Sequence, residues 1–304
     1  MEGRNLTLVM EFILLGFSDL PKLQGFLFWI FSVIYMVILI GNTLIIVITQ
    51  VDPTLQTPMY FFLGNFSFLE ICYTSVTLPT ILMNLWTQNR RISFAACAAQ
   101  LCIFLILGCF LLAVMACDRY VAICKPLYYP LIMNHKVCTR LVAGAWISAI
   151  PVVIVLAYQI FSLPFCGSNK VNHIFCDIHP LLKLACGDTS LNELSVYIDG
   201  VLFGMAPFVL ILVSYTKIIN AILKLPSATG RYKAFSTCSS HLIVVGLFFG
   251  SALIMYVRPK SSHSAGIDRI LSIFYTIVTP MFNPMIYSLR NKDVICALKK
   301  LLIK

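Results

Sequence analysis

From Leu23 to Val51 the chain reads LQGFLFWIFSVIYMVILIGNTLIIVITQV, and no Asp, Glu, Lys or Arg stands between Lys22 and Asp52. A helix needs about 20 apolar residues to cross the hydrocarbon core of a bilayer. This run is long enough, and it is apolar all round rather than on one stripe, so its surroundings are lipid or a large core. The rest of the chain decides between the two. Of its 304 residues 60% are hydrophobic and 11% charged, with a mean hydropathy of +0.91. A soluble domain of this size cannot hide so much apolar surface.

Six more stretches of this kind follow. They lie between Asp52 and Arg90, Arg91 and Asp118, Arg140 and Lys170, Glu193 and Lys217, Lys233 and Arg258, and Arg269 and Arg290; Glu70 and Asp199 are the charges inside them. Membrane β-strands would be short and alternating, with many turns. The expected fold is an all-α membrane protein: one seven-transmembrane helix bundle over 1–304, with approximate spans 24–51, 57–86, 95–124, 140–161, 193–224, 232–258 and 268–289. Beyond Arg290, apolar Val294, Ile295, Ala297, Leu298, Leu301 and Leu302 alternate with Lys299, Lys300 and Lys304. That pattern predicts a short amphipathic helix over 291–302, lying on the membrane surface.

Basic residues set the orientation. With the N-terminus outside, the inner face collects thirteen of the 22 Lys and Arg residues, among them Arg119, Lys125, Arg231, Lys233, Arg290 and Lys300, against Asp52, Asp118 and Asp293. The net charge of +10 is therefore a topology signal and does not point to nucleic acid. The sequon Asn5-Leu6-Thr7 makes Asn5 a glycosylation site on the outer side, whereas Asn65-Phe66-Ser67 falls inside a span. No basic n-region precedes the first long apolar run, so it is expected to stay as a signal anchor.

The tail up to about Leu20 is too short to fold by itself. The one long loop, from about Ser162 to Leu191, holds Cys166, Cys176 and Cys186 on the oxidising side, where Cys97 opens the third span. Four cysteines allow two bridges, and spacing leaves their pairing open. His173, Cys176 and His179 are close enough to suggest a metal, but two histidines beside a disulfide-prone cysteine make a poor site.

The stretch with the most mechanism in it is Met115-Ala116-Cys117-Asp118-Arg119-Tyr120-Val121-Ala122-Ile123-Cys124, at the inner end of the third span. Leu55-Gln56-Thr57-Pro58-Met59-Tyr60-Phe61-Phe62-Leu63 opens the second span and Lys233-Ala234-Phe235-Ser236-Thr237-Cys238-Ser239-Ser240-His241-Leu242 the sixth. Pro280-Met281-Phe282-Asn283-Pro284-Met285-Ile286-Tyr287-Ser288-Leu289-Arg290-Asn291 closes the seventh. With Gly41-Asn42 and Ser214-Tyr215, these strings stand in the order and spacing of one family. Over nearly its whole length the chain resembles the vertebrate odorant (olfactory) receptors of the rhodopsin-like G-protein-coupled receptor superfamily.

The resemblance implies a receptor and not an enzyme, without a cofactor. It implies a small volatile organic ligand, a heterotrimeric stimulatory G protein that raises cyclic AMP, and residence in the plasma membrane of olfactory cilia. It pairs Cys97 with Cys176 and Cys166 with Cys186. Asp118, Arg119 and Tyr120 become the coupling motif: Arg119 is held by Asp118 at rest and meets the G protein when helix six swings out. Tyr215, Asn283, Pro284 and Tyr287 form the second part of the switch. Pro284 removes a backbone donor and bends its helix, and Asn283 can satisfy the groups that this frees. Relatives carry Asp where Glu70 stands and can hold sodium there; the longer Glu70, and Gly108 where a hydroxyl is common, weigh against sodium and favour a polar contact with Asn42 and Asn283. No proline interrupts Ala234 to Val257, so helix six is expected to bend softly near Phe249-Gly250-Ser251. Arg231 stands where an acid would lock Arg119.

Ligand sites in bundles lie between helices and are mostly apolar. The candidates are Leu101, Cys102, Leu105, Ile106 and Cys109 in helix three; Asp199, Phe203 and Gly204 in helix five; Phe249, Ala252, Leu253 and Tyr256 in helix six; and Ile273 and Thr276 in helix seven. Any apolar member could equally pack against a neighbour or face lipid. Asp199, a carboxylate within a span, needs a partner, water or a proton. Leu101 stands where amine receptors carry Asp, which argues for a mostly apolar ligand. The same receptor type could instead sense a metabolite outside the nose. A transporter would need internal repeats or a polar path, and none is evident.

Overall fold

The computed structural model describes residues 11–87, 89–105, 108–165, 168–257, 265–289 and 292–302. Asn5 and Cys166 lie outside the described residues. The chain is an antiparallel helix bundle with a small sheet at one end. The spans are α1 (Gln24–Val51) and α2 (Pro58–Thr87), then α3 (Phe94–Leu105) with α4 (Cys109–Cys124), and, after the short α5 (Tyr129–Ile132), α6 (His135–Phe161). The loop helix α7 (Ile178–Leu182) leads to α8 (Ser190–Asp199), which continues into α9 (Ala206–Leu223); then come α10 (Ala228–Val257), α11 (Ala265–Ile273), α12 (Thr279–Leu289) and the tail helix α13 (Lys292–Leu302). Among the described residues five helical stretches are long and apolar enough to cross a membrane, and α10 is a sixth if its two halves are one span. Together α3 and α4 fill the remaining place, on either side of residues 106–107.

The helices look apolar all round because only a stripe of each meets protein. In α1 that stripe is Phe31, Ile38, Asn42, Ile45 and Ile48, all buried, while Phe26, Trp29, Val33, Met36 and Ile40 are exposed. Trp29 and Trp86 are 68% and 70% exposed near the same end of the bundle, where aromatic rings favour a membrane–water boundary. Lipid is as apolar as leucine, so helices associate through close packing and small residues. Gly41 shows this: a Cβ there would lie 3.0 Å from the Pro284 Cβ. At Gly108 it would lie 3.0 Å from the Phe66 ring.

Local chemistry sets the helix boundaries. Asn134 caps α6, its side chain accepting from the Val137 amide at 3.0 Å, so this helix begins at His135 and not near Arg140. Pro79 and Pro151 lie inside α2 and α6 without ending them, as neighbouring helices permit in a membrane. Two spans contain a π-helical segment, Gly200–Met205 between α8 and α9 and Phe274–Val278 between α11 and α12; neither is signalled by the apolar pattern. The bend of α10 is 40° and falls between Ser236 and Cys238, nearer the start than the soft bend expected at Phe249-Gly250-Ser251. No Pro or Gly stands at that point.

The sheet lies at the end of the bundle where α3 begins. Its order is β2–β1–β3: β1 (Glu11–Leu14) pairs antiparallel with β2 (Arg91–Ser93), Phe12 opposite Ile92, and parallel with β3 (Lys170–Val171), Leu14 opposite Val171. The N-terminal tail therefore does not fold by itself but joins the α2–α3 connection to the long loop. Beneath the sheet Phe12, Leu14, Ile92, Cys97, Leu101, Val171 and Cys176 share one core. Arg269 reaches the tail as well, its Nη1 lying 2.7 Å from the Asp19 carboxylate.

Candidate functional site

Two regions hold the residues singled out above. The first is at the end of the bundle opposite the sheet. Here α4 presents Asp118 with its side chain 0% exposed beside Arg119, 16% exposed, at 3.2 Å. The second oxygen of Asp118 accepts a hydrogen bond from the Tyr129 hydroxyl of α5 at 2.8 Å. A buried carboxylate is costly unless its oxygens are satisfied, and this one has a cation on one oxygen and a phenol on the other. Burial, and then the Asp118 carboxylate beside it, push the Tyr129 phenol above its ordinary value, so it remains a donor. Tyr129 is missing from the sequence reading; its place in Tyr128-Tyr129-Pro130, one short turn beyond Lys125, gives no sign that it folds back.

Tyr215 on α9 faces Arg119's end of the bundle but bonds elsewhere: its hydroxyl lies 2.7 Å from Nδ1 of His241 on α10, and the two rings stack 5.6 Å apart. His241 is fully buried. His241 lies within the string quoted at the start of helix six, but nothing in that string marks its partner. Deeper in the bundle, Asn283 of α12 donates to Glu70 of α2. Asn42 donates to the Ile38 carbonyl at 3.1 Å, and its side chain also meets the Glu70 carboxylate. Among the described residues the buried Asn283 Oδ1 and Tyr287 hydroxyl have no hydrogen-bond partner. Pro284 packs toward Gly41, and the ammonium of Lys217 lies 5.5 Å from the centre of the Tyr120 ring.

The second region lies nearer the sheet. Cys109 is buried and its thiol donates to the Phe203 carbonyl at 3.2 Å, inside the first π segment. Such a segment leaves carbonyls without their usual helical donor, and this thiol supplies one. Phe203 packs on Phe110, and Phe249 on Phe208 and Phe248. Asp199 ends α8 just before the π segment and is half-buried. Thr276, in the second π segment, is buried and donates to the Ser272 carbonyl at 2.6 Å. Leu101 and Cys102 pack with the loop core rather than beside Cys109, and Ile273 packs with Phe17, Ile174 and Phe175. Ile106 and the side chains of Leu105, Ala252, Leu253 and Tyr256 lie outside the described residues.

Over this region runs the long loop. Cys97 and Cys176 form a disulfide, and Cys186 is itself disulfide-bonded, with its partner outside the described residues. The Cys176 amide donates to Gln100 at 3.2 Å, and Gln100 in turn donates to the Val76 carbonyl of α2 at 2.8 Å. His173 Nε2 lies 2.7 Å from the Ser272 hydroxyl.

The family profile described as "Olfactory receptor" matches residues 31–304 of this chain. The chain belongs to the olfactory receptor family. Olfactory receptor 10AG1 of Homo sapiens is 58% identical over 97% of this chain and 99% of its own length. Human olfactory receptor 10C1 is 52% identical over 99% of this chain and 97% of its own, and human olfactory receptor 10A5 is 53% identical over 97% and 95%. Among solved structures, squid rhodopsin superposes with a TM-score of 0.72 at 18% identity, covering 92% of this chain and 80% of its own. That likeness is one of fold: the rhodopsin-like bundle of a G-protein-coupled receptor. An olfactory receptor of this fold is a multi-pass membrane protein and no enzyme, and binding small molecules and coupling to a G protein are general to its family.

Proposed function

We propose that this olfactory receptor binds small, mostly apolar volatile molecules between its helices and activates a stimulatory G protein, which raises cyclic AMP in the cilia of olfactory neurons. The observation that carries the proposal is the Arg119 site: a guanidinium held by a buried carboxylate at one end of the bundle, with Tyr215 and His241 joining helices five and six beside it. The N-terminus and the sheet are placed outside, with Asn5 glycosylated, and Arg119 inside, in keeping with the excess of basic residues at that end.

In this reading the ligand lies between the two π segments, near Cys109, Phe203, Phe249 and Thr276, with Asp199 as its polar contact. The ligand shifts the equilibrium by its differential affinity for the active state. Helix six then swings out, the Tyr215–His241 contact breaks, and Arg119 leaves Asp118 for the G protein. Tyr287, buried and with no hydrogen-bond partner for its hydroxyl among the described residues, takes up a new partner in that state.

The test is cyclic AMP in cells that display the receptor, exposed to a broad panel of volatile compounds. A response to some members that falls at least tenfold in potency in Phe203→Ala, with surface display unchanged, is the expected result. A wild-type receptor that is displayed at the surface and raises calcium but not cyclic AMP would overturn the assignment to a stimulatory G protein.

A further inference from the structure

The long loop is fixed to the bundle on two opposite sides within five residues. On one side the Cys176–Cys97 disulfide and the bond to Gln100 hold it to α3. On the other, two side chains flanking Cys176 reach the seventh helix. His173 Nε2 lies 2.7 Å from the Ser272 hydroxyl, and Asp177 accepts from the Tyr275 hydroxyl at 3.3 Å. Ser272 and Tyr275 are three apart and so lie on one face of the helix. His173, Asp177 and Ser272 are all buried, and the Phe175 ring meets Tyr275 edge-on between them.

The network gives His173 its tautomer. Within the loop its Nδ1 lies 3.1 Å from the Phe175 carbonyl and 3.5 Å from the Phe175 amide. The shorter contact is to a group that can only accept, so Nδ1 carries the hydrogen. Nε2 is then the acceptor, and the Ser272 hydroxyl donates to it. The imidazole is thus a two-ended spacer, one end within the loop and the other on the seventh helix. Ser272 lies just before the π segment Phe274–Val278, where the helical ladder is irregular and bending is easiest.

We propose that His173 is a positioning residue that acts through Ser272: with Asp177 it straps the disulfide-anchored loop to the seventh helix, so that the loop and α11 move as one body and the position of that body sets the conformation of the Phe274–Val278 segment. The strap operates without ligand, so its test is separate from that of receptor activity.

The experiment is hydrogen–deuterium exchange on the purified full-length receptor in nanodiscs, with two variants. His173→Asn keeps a donor for the Phe175 carbonyl but cannot reach Ser272; Ser272→Ala removes the other partner. Each variant should disturb the far segment as well as its own. His173→Asn should speed exchange over residues 272–278, and Ser272→Ala should speed it over 174–177, each by about tenfold, the equivalent of one net hydrogen bond to a buried group. Variants that loosen only the segment they sit in would overturn the strap, as would two variants with wild-type exchange. If His173→Asn does not fold, the loop signal in Ser272→Ala decides by itself.

Discussion

Asp118 gains its two partners from different directions, Arg119 from the next position in the helix and Tyr129 from the connection that follows. Removing the Tyr129 hydroxyl would leave a buried carboxylate oxygen without its donor, at a cost of about 1–3 kcal/mol. Tyr129→Phe should therefore lower the thermal stability of the resting receptor and raise ligand-independent nucleotide exchange on the G protein; unfolding temperature and basal exchange rate check the two halves. His241 makes a second prediction. His241→Phe keeps the ring but removes the Tyr215 contact, so it should raise basal exchange in the same way. A fall in basal exchange would mean that the contact belongs to the active state.

Elements depend on one another at points of close approach. Gly41→Ala would bring a Cβ to 3.0 Å from the Pro284 Cβ and 3.1 Å from its Cγ, and overpacking of this kind costs about 1–3 kcal/mol. It should lower the unfolding temperature and move helix seven relative to helix one, which a distance measurement between spin labels on the two helices would detect. At the other end, the hydrogen bond from Arg269 holds the Asp19 carboxyl below its ordinary value. The folded value is the lower one, so this tie contributes fully above the usual carboxylate range and is lost as pH falls through the lowered value. Hydrogen exchange of residues 16–20 should stay protected at neutral pH and rise below that range; in Asp19→Asn it should be fast at both.

The sequence makes these helices legible because a membrane span needs an unbroken apolar run, and α1 begins and ends where the run does, at Gln24 and Val51. The irregular parts are another matter. A π segment costs one unusual turn and leaves hydropathy unchanged, so nothing marks Gly200–Met205 or Phe274–Val278. The strand at Glu11–Leu14 is too short to show a period, and both its neighbours lie far along the chain. At the site, Asp118, Arg119 and Asn283 are legible because their surroundings are a known string. Tyr129, the His241 partner and the His173–Ser272 tie are set by tertiary packing, which no spacing encodes.

Over the whole molecule, lipid replaces water as the solvent, and the polar groups inside include Asp177 and His173 under the loop, Glu70 and Asn283 in the middle, and Asp118 beside the partly exposed Arg119 at the far end. Buried polar groups restrict the conformations in which they are all satisfied. The loop end also bears the disulfide. Because it closes a separation of 79 residues, losing it should cost about 2–5 kcal/mol, and Cys97→Ser should fail to reach the cell surface; surface labelling of tagged receptor checks this.

In the proposed mechanism Arg119 is the group that passes from Asp118 to a G protein. The direct measurement is nucleotide exchange on purified stimulatory G protein by the receptor in nanodiscs, wild type against Arg119→Ala, with a volatile compound that activates the wild type. The variant is expected to bind the compound with affinity within a few-fold of wild type while exchange falls to the level of empty nanodiscs. Exchange at the wild-type rate in Arg119→Ala would contradict this mechanism.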